Sequence, residues 1–479
     1  MRALALLALG LMLVVPAAGA NQASLEGTWR GTFALPRPLP VSVALTGSMA
    51  TVSLPAGHAA PAVVSVRRSG ARVRFALPGR PNALAFDGVL RKGAITGTVT
   101  QAGLRGKFTL KRGAALAVAD LGVYRLDDGH AISVELAGGR RLLLDYDAAE
   151  IHGLFKEGGS TWTVGSGLGV RDPAAGTAAF SQGIDLSVNG VTRHGTRLEV
   201  RQQEVRFRSG GVMLAGTLML PIAPGKHPAV AYVHGSGETP RNDGAVYTAY
   251  FLSRGFAVLA YDKRGIEQSG GTWPGEAATV HSVDIYARDA EAAVRFLAAQ
   301  PEIDAARVGL TGASQAGWVT PVAARRERAI RFLVLVSGPT VTTNEQMTYQ
   351  DLTTEGATTP TLPPAEILAE VRRVGPGGFD PLPSIRQLTI PVLWLFGAID
   401  QHIPTSLSVE RLASIASASG HDFTYFVFPG ADHFLLESEH ALIAEDLRSS
   451  HYPAGLFSKV DGWLRARSLV AAPGSKATG

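Results

Sequence analysis

The chain has 479 residues, which is longer than a domain with a single hydrophobic core usually is. Its formal net charge is +5, and its arginines and lysines are scattered along the sequence rather than clustered. Two or three domains are therefore expected, and the scatter argues against nucleic acid as a partner. The chain contains no cysteine, which excludes disulfides, thiolate nucleophiles and thiolate metal sites.

The first 20 residues have the pattern of a cleaved secretory signal. Arg2 precedes an apolar stretch from Ala3 to Val15, and the small residues Ala18-Gly19-Ala20 follow it. The mature chain is expected to begin at Asn21 and to be periplasmic or secreted. The apolar stretch is too short for an ordinary membrane-spanning helix, and without a cysteine after the cleavage point we expect no lipid anchor in the membrane.

Residues 21–204 are predicted to form two β-rich modules. Between Leu25 and Arg112, short alternating runs are broken by glycine and proline, with no helix-length amphipathic segment among them. This pattern predicts a barrel or sandwich over residues 21–113. Its segment GTWRG, residues 27–31, is similar to the first strand of lipocalin-like barrels, although Trp29 as an ordinary core residue between turn glycines also explains it. A second β-rich module is predicted over residues 114–204.

The pattern changes after about Val205, where uniformly apolar runs alternate with helical segments. Such runs are typical of strands buried on both faces of a mostly parallel sheet, and the alternation predicts an α/β domain over residues 205–470. A cap insertion is predicted at about residues 339–389 and a flexible tail at 471–479. Because ligands collect beyond the carboxyl ends of parallel strands, the residues that follow each apolar run are the candidate site.

Ser314 lies in RVGLTGASQAGW, residues 307–318, where an apolar run ends and a helical pattern begins. Gly312 before it and Ala316 after it are small, which lets the chain turn sharply and expose the hydroxyl. The usual pattern is Gly-x-Ser-x-Gly, whereas here Ala316 takes the last position and Gly317 follows. Ser314 is therefore a candidate nucleophile, with an ordinary turn serine as the alternative.

The glycine-rich segment YVHGSG, residues 232–237, follows the first long apolar run of the α/β domain. Glycines let backbone N–H groups approach a developing oxyanion without side-chain obstruction. We assign the oxyanion donors to the N–H of Ser236, or alternatively Gly235, together with the N–H of Gln315. His234 is interpreted as a structural residue that orders this loop.

Two later strand ends supply an acid and an imidazole. Asp400 ends the segment LFGAID, and His433 lies in PGADHF after the last apolar run. An acid can hold an imidazole in the required tautomer. Asp432 is the competing acid, but it adjoins His433 in sequence and would have difficulty reaching its Nδ1. The other histidines nearby, His402 among them, are interpreted as structural or solvated.

Taken together, the strand VMLAGTLMLP, the His-Gly-Ser-Gly loop, YDKRG at residues 261–265, the Ser314 turn and the two later strand ends occur in a fixed order. In this combination residues 205–468 resemble the α/β-hydrolase superfamily, in particular bacterial serine esterases and serine aminopeptidase-like hydrolases. The resemblance implies Ser314 as nucleophile, His433 as general base and Asp400 as its orienting acid. Relatives often carry Arg-Gly-x-Gly-x-Ser where this chain has RGIEQS, so the shape of that loop is expected to differ.

The sequence therefore predicts an exported serine hydrolase, specifically a carboxylesterase, that acts on a small-molecule ester through an acyl-enzyme intermediate. This chemistry requires no metal or organic cofactor. The first alternative is a serine peptidase acting on short peptides, since the same residues serve both reactions. The second is a non-catalytic envelope-binding protein, against which the complete set of candidate residues argues.

Overall fold

The computed structural model describes residues 27–470 apart from short gaps at 36–37, 47–48, 54–61, 78–83, 92, 113–119, 138–139, 159 and 419. The predicted signal peptide, residues 1–20, and the predicted tail, residues 471–479, lie outside the described residues. The chain forms two compact units, Met1–Val118 and Ala119–Gly479. No helix in the described part of the chain is both long and apolar enough to cross a membrane.

The first unit is a nine-stranded antiparallel sheet in the order β4-β3-β2-β1-β9-β8-β7-β6-β5. Alternation of buried and exposed residues along β6 places Val73, Phe75 and Leu77 in the core, and Trp29 is also buried there. Only one residue separates the two edge strands β4 and β5, so the sheet must curve back on itself. Its strands are β1 Gly27–Ala34, β2 Pro38–Thr46, β3 Met49–Ser53, β4 Ala62–Ser65, β5 Arg67–Ser69, β6 Arg72–Leu77, β7 Leu84–Arg91, β8 Ala94–Gln101 and β9 Leu104–Arg112.

The second unit begins with a closed antiparallel barrel of eight strands in sequence order. Alternate residues face inward, so side chains such as Ile132, Val134 and Leu186 are buried. The barrel strands are β10 Gly122–Leu126, β11 Ala131–Ala137, β12 Arg140–Asp145, β13 Glu150–Gly158, β14 Thr161–Val164, β15 Gly176–Phe180, β16 Gly183–Val188 and β17 Val191–Arg197.

The rest of the second unit is an eight-stranded sheet in the order β18-β19-β21-β20-β22-β23-β24-β25. β18 and β19 are antiparallel to their neighbours, whereas β20 to β25 run parallel to one another. Every residue of β20, β21, β23 and β24 is buried, which explains their uniformly apolar sequences. The strands are β18 Val200–Ser209, β19 Val212–Pro221, β20 His227–Val233, β21 Ala257–Tyr261, β22 Ile303–Ala313, β23 Leu333–Val336, β24 Val392–Gly397 and β25 Phe423–Phe428.

Helices cover this sheet. The longest, α2, begins at a capping box formed by Thr279 and Ser282 and buries an apolar stripe that includes Val283, Val294 and Leu297. The region 339–389 contains α4, a short 3₁₀ helix at Thr354–Gly356, α5 and α6. The helices are α1 Ala245–Ser253, α2 Val280–Ala298, α3 Ala316–Arg326, α4 Thr343–Thr353, α5 Pro364–Val374, α6 Leu382–Ile385, α7 Thr405–Ala416, α8 Ile443–Asp446 and α9 Leu456–Ala466.

Backbone hydrogen bonds join the barrel to the segment that follows β25. Ile151 N–H donates to the Ser450 carbonyl at 2.8 Å, and Tyr452 N–H donates to the Ala149 carbonyl at 2.8 Å. The Tyr146 ring of the barrel meets Tyr250 of α1 edge to face at 5.4 Å. The expected boundary between the second β module and the α/β domain, at residue 204, falls inside β18, because this strand pairs with β19 rather than with the barrel.

Candidate active site

Ser314 lies where β22 ends and α3 begins. Its φ of 54° is in the left-handed region that side chains other than glycine rarely adopt, which is typical of a sharp strand-to-helix turn at a functional site. The turn is held by the Ser314 N–H, which donates to the Val336 carbonyl at 2.9 Å, and by the Gly317 N–H, which donates to the Ser314 carbonyl at 2.8 Å. Ser314 is half-buried.

The departure from Gly-x-Ser-x-Gly is explained by close packing on both sides of the turn. The Ala316 side chain is fully buried, and its Cβ lies 2.6 Å from where a Cβ on Gly312 would be, so the two positions cannot both carry side chains. A Cβ on Gly317 would lie 2.6 Å from the Gly338 Cα of the neighbouring strand end. The glycine that this turn requires after the serine is therefore Gly317.

The loop after β20 approaches Ser314 through Gly235. A Cβ on Gly235 would lie 3.7 Å from the Ser314 Cβ, so only a small residue leaves the space in front of the hydroxyl open. The N–H groups of Gly235, Ser236 and Gln315 donate to no acceptor among the residues that the structure describes. All three groups predicted as oxyanion donors are thus available to a ligand.

The Gln315 side chain ties this loop to the Ser314 turn. Its Nε2 donates to the Gly235 carbonyl at 3.2 Å, and its Oε1 accepts the Ala277 N–H at 2.7 Å. Gln315 is buried. The sequence predicts a role for its backbone only, whereas in the structure its carboxamide also fixes the distance between the two strand ends.

Asp400 and His433 form a buried hydrogen-bonded pair. The His433 Nδ1 lies 2.7 Å from the Asp400 Oδ2, while the Asp400 Oδ1 accepts the N–H groups of His402 at 2.7 Å and Ile403 at 3.0 Å. Burial alone lowers the pKa of His433, but the charge and hydrogen bond of Asp400 outweigh it and raise that pKa above its ordinary value. Asp400 thus holds the imidazole and favours its protonated form.

Neighbouring strand ends bring His433 to the same edge of the sheet as Ser314. Ser337, one residue beyond the carbonyl that accepts the Ser314 N–H, donates its hydroxyl to the His433 carbonyl at 2.7 Å. No hydrogen bond joins the Ser314 hydroxyl to His433 in the described part of the chain. Catalytic hydrogen bonds are often long without substrate and shorten in the substrate complex.

The raised pKa of His433 predicts how the hydrolysis rate falls at low pH. A general base must be neutral, and the raised pKa keeps His433 protonated to a higher pH than the ordinary value of about 6.5. We expect kcat/KM for a p-nitrophenyl ester to fall with a midpoint above about 6.5 as the pH is lowered. The measurement is a pH profile read at the isosbestic wavelength of nitrophenol, and a midpoint below that value would contradict it.

Asp432, the competing acid, accepts backbone N–H groups of its own loop and does not bond His433. Its Oδ1 accepts the N–H groups of Phe434 and Leu436, each at 2.8 Å, so it shapes the loop that carries His433. The Asp446 carboxyl lies beside it, and burial raises the pKa of both carboxyls. In the structure the imidazole is bonded to Asp400 and not to Asp432.

His402 is a neighbour of the pair that the sequence did not reveal as such. Its ring stacks on the His433 ring with centroids 4.4 Å apart, and Phe434 meets both rings edge to face. Burial and then the His433 charge lower the pKa of His402 to about 4, so it stays neutral. Its spacing two residues after Asp400 is the only sequence signal that pointed to this position.

The region predicted as a cap contacts the Asp400 loop. The Tyr349 hydroxyl of α4 donates to the Asp400 carbonyl at 2.8 Å, and the Thr353 hydroxyl donates to the Gln401 carbonyl at 2.5 Å. α4 is itself anchored by Glu345, which pairs with Arg411 of α7. α4 therefore stabilises the loop that carries Asp400.

The residues around the predicted oxyanion loop have structural partners. His234 is buried between the rings of Tyr232 and Tyr261, and burial lowers the pKa of His234 to about 3. Asp262 accepts two hydrogen bonds from the Arg241 guanidinium, at 3.0 and 2.7 Å, and Arg264 pairs with Asp289.

One group in the described part of the chain brings three potential metal-ligand atoms within 4.8 Å of one another, and it lies on the barrel: His130, Asp145 and Asp147. Asp145 already accepts the Asp147 and Ala148 N–H groups at 3.1 and 3.0 Å and the Arg193 guanidinium at 3.0 Å. The guanidinium supplies the positive charge that a cation would bring, so we assign no metal to this group.

Comparison with known proteins finds a family match and similar curated proteins. Residues 245–452 match the prolyl oligopeptidase family, a range that includes Ser314, Asp400 and His433. Esterase EstD of Thermotoga maritima is 26% identical over 280 residues, which are 52% of this chain and 65% of that protein. The uncharacterised protein PA2218 of Pseudomonas aeruginosa is 29% identical over 154 residues, 30% of this chain and 40% of that protein.

The chain thus spans less than two thirds of the length of these two curated relatives. Among solved structures, the esterase Pf2001 of Pyrococcus furiosus superposes with a TM-score of 0.40 at 20% identity, over 56% of this chain and 91% of that one. These matches support the assignment of the C-terminal part of this chain to an α/β-hydrolase family of the serine esterase and serine peptidase type.

Proposed function

We propose that the chain is an exported serine hydrolase that cleaves carboxylic esters with Ser314 as nucleophile, His433 as general base and Asp400 as its orienting acid. The observation that carries the proposal is the buried 2.7 Å hydrogen bond between His433 Nδ1 and Asp400, at the sheet edge that also exposes Ser314. This pair leaves the His433 Nε2 for the serine proton. The similarity to an esterase of Thermotoga maritima supports the ester as substrate.

The mechanism follows from the chemistry of these groups. His433 takes the Ser314 proton as the hydroxyl oxygen attacks the acyl carbonyl, and the new oxyanion accepts the N–H groups of Gln315 and of Ser236 or Gly235. The imidazolium then gives its proton to the leaving alcohol, and an acyl-enzyme remains on Ser314. Water, deprotonated by His433, releases the acid and restores the hydroxyl.

A serine peptidase acting on short peptides is the second candidate, and two observations favour it. Residues 245–452 match the prolyl oligopeptidase family. In addition, the exposed Glu355 carboxylate lies 3.8 Å from the His402 Nδ1, beside the stacked histidines, where it would attract a substrate ammonium group. Turnover of p-nitrophenyl esters of graded chain length, measured beside aminoacyl and dipeptidyl amides, separates the two candidates.

Labelling with a fluorophosphonate tests the proposal directly. This reagent phosphonylates a serine whose proton is removed by a neighbouring base. We expect mass spectrometry to find the label on the peptide that contains Ser314, and to find it still there in Ser337→Ala, since Ser337 lies beside Ser314 but only bonds a carbonyl. Label on another serine would contradict the assignment of Ser314, and no label on a folded protein would favour a non-catalytic binding role.

A further inference from the structure

Lys263 is a buried lysine behind the predicted oxyanion loop. The residue is only 2% exposed. Its Nζ donates to the Gly235 carbonyl at 2.8 Å and to the Gly237 carbonyl at 2.7 Å. Burying an ammonium group is costly unless it is hydrogen-bonded, and lysine is rarely buried. The mechanism described above assigns nothing to this charge.

One of these two carbonyls, that of Gly235, belongs to the same peptide group as the Ser236 N–H, which is a predicted oxyanion donor. The Gly235 carbonyl and the Ser236 N–H belong to one planar trans peptide unit, so they point in opposite directions. A donor on the carbonyl therefore fixes the direction of the N–H, and a charged donor polarises it. The Gln315 Nε2 also donates to this carbonyl, at 3.2 Å.

We propose that Lys263 is a positioning residue of the oxyanion hole, whose ammonium group orients and polarises the peptide between Gly235 and Ser236. The inference rests on the proposed function. Lys263 does not touch the substrate. Its positive charge stabilises negative charge that develops at the N–H end of this peptide, so its effect is larger in the transition state than in the substrate complex.

The charged groups around Lys263 come from several elements. The Glu276 carboxylate accepts the Gly237 N–H at 3.0 and 3.1 Å and, with Asp243 and Glu238, favours the protonated lysine. The Tyr286 ring of α2 lies 4.9 Å from the Nζ. His234 is close enough for the Lys263 charge to lower its pKa further, after burial, so this imidazole is neutral. Burial outweighs the carboxylates and lowers the pKa of Lys263 to about 8.

The test is Lys263→Met, with Lys226→Met as the matched control on an exposed loop. We expect kcat for the best ester to fall by about 10- to 100-fold with little change in KM, because one oxyanion donor contributes about 10²- to 10³-fold and here it is weakened rather than removed. The inhibition constant of a trifluoromethyl ketone, which forms an oxyanion on Ser314, should rise by a similar factor.

The pH profile provides a readout that a merely structural role would not change. Above a pH of about 8 the native enzyme should lose rate as Lys263 loses its proton, and Lys263→Met should lack this alkaline limb. Native kcat and ketone affinity in a folded Lys263→Met, or an unchanged alkaline limb, would overturn the proposal. If Lys263→Met does not fold, the native enzyme decides: ketone affinity that stays flat through this pH overturns it, and a decline supports it.

Chemical rescue is available because the chain has no cysteine. Lys263→Cys carries a single thiol, and alkylation with bromoethylamine in urea, followed by refolding, rebuilds an ammonium group on a side chain of lysine length. Recovery of kcat relative to the unalkylated variant supports the proposal, and a folded alkylated protein without recovery contradicts it. A native enzyme with no turnover and no label on Ser314 would instead mean that the proposed function has failed.

Discussion

Replacing Ser314 with alanine is expected to lower kcat for a p-nitrophenyl ester on the order of 10⁶-fold. The variant loses the atom that forms the acyl-enzyme, so His433 and the oxyanion donors can only promote direct attack by water. A residual rate above the uncatalysed one is expected from those donors. The measurement is single-turnover and steady-state kinetics of the purified variant, beside its melting temperature.

The fold of this variant should be preserved, because no hydrogen bond of the Ser314 hydroxyl is found in the described part of the chain and alanine tolerates the same backbone about as well. Ser337→Ala is the matched control at the next strand end. It loses the bond to the His433 carbonyl and should lose far less activity. Turnover of Ser314→Ala equal to that of the native protein would remove Ser314 from the mechanism.

Much of the C-terminal architecture could be predicted because buried parallel strands have a simple signature. Four of the apolar runs form strands in which every residue is buried, β20, β21, β23 and β24, whereas β25, the last strand of the sheet, is only partly buried. The residues that follow β20, β22, β24 and β25 lie at the same end of the parallel strands. Asp400 could be preferred to Asp432 because a residue that adjoins the histidine is poorly placed to reach its Nδ1. In the structure the Asp432 carboxylate instead accepts backbone N–H groups of the loop that carries His433.

Lys263 and His402 could not be predicted because their roles depend on spatial neighbours. Lys263 reaches Gly235 because β21 pairs with β20 in the sheet, and sequence order alone does not determine that adjacency. His402 follows Asp400 closely, but only the folded loop stacks its ring on His433. Single histidines and lysines carry no periodic signal, so the pattern could not separate them from surface residues.

The closed barrel also could not be read from composition. Its strands show the alternation of any half-buried sheet. Closure depends on β10 pairing with β17, for example Leu126 with Gly195, and no local pattern specifies that pairing. The barrel contacts the segment 449–452, which follows the His433 loop.

Replacing Asp400 with asparagine is expected to lower kcat on the order of 10⁴-fold with the fold intact. The carboxamide is nearly the same size, but its NH₂ can donate to the His433 Nδ1 and so stabilise the tautomer whose Nε2 carries a proton and cannot accept one from Ser314. The variant also loses the negative charge that stabilises the imidazolium. Steady-state kinetics with a p-nitrophenyl ester measure the loss.

The acid limb of this variant should move as well. Asp400 raises the pKa of His433 against the effect of burial, so without the charge burial lowers that pKa and the remaining rate should fall only at a lower pH than in the native enzyme. Asp432→Asn is the matched control, since it changes a buried carboxylate next to His433 that accepts the N–H groups of Phe434 and Leu436 and does not bond the imidazole. We expect it to keep kcat within about 10-fold, because it leaves the imidazole tautomer unchanged. A larger loss in Asp432→Asn than in Asp400→Asn would reverse the assignment of the acid.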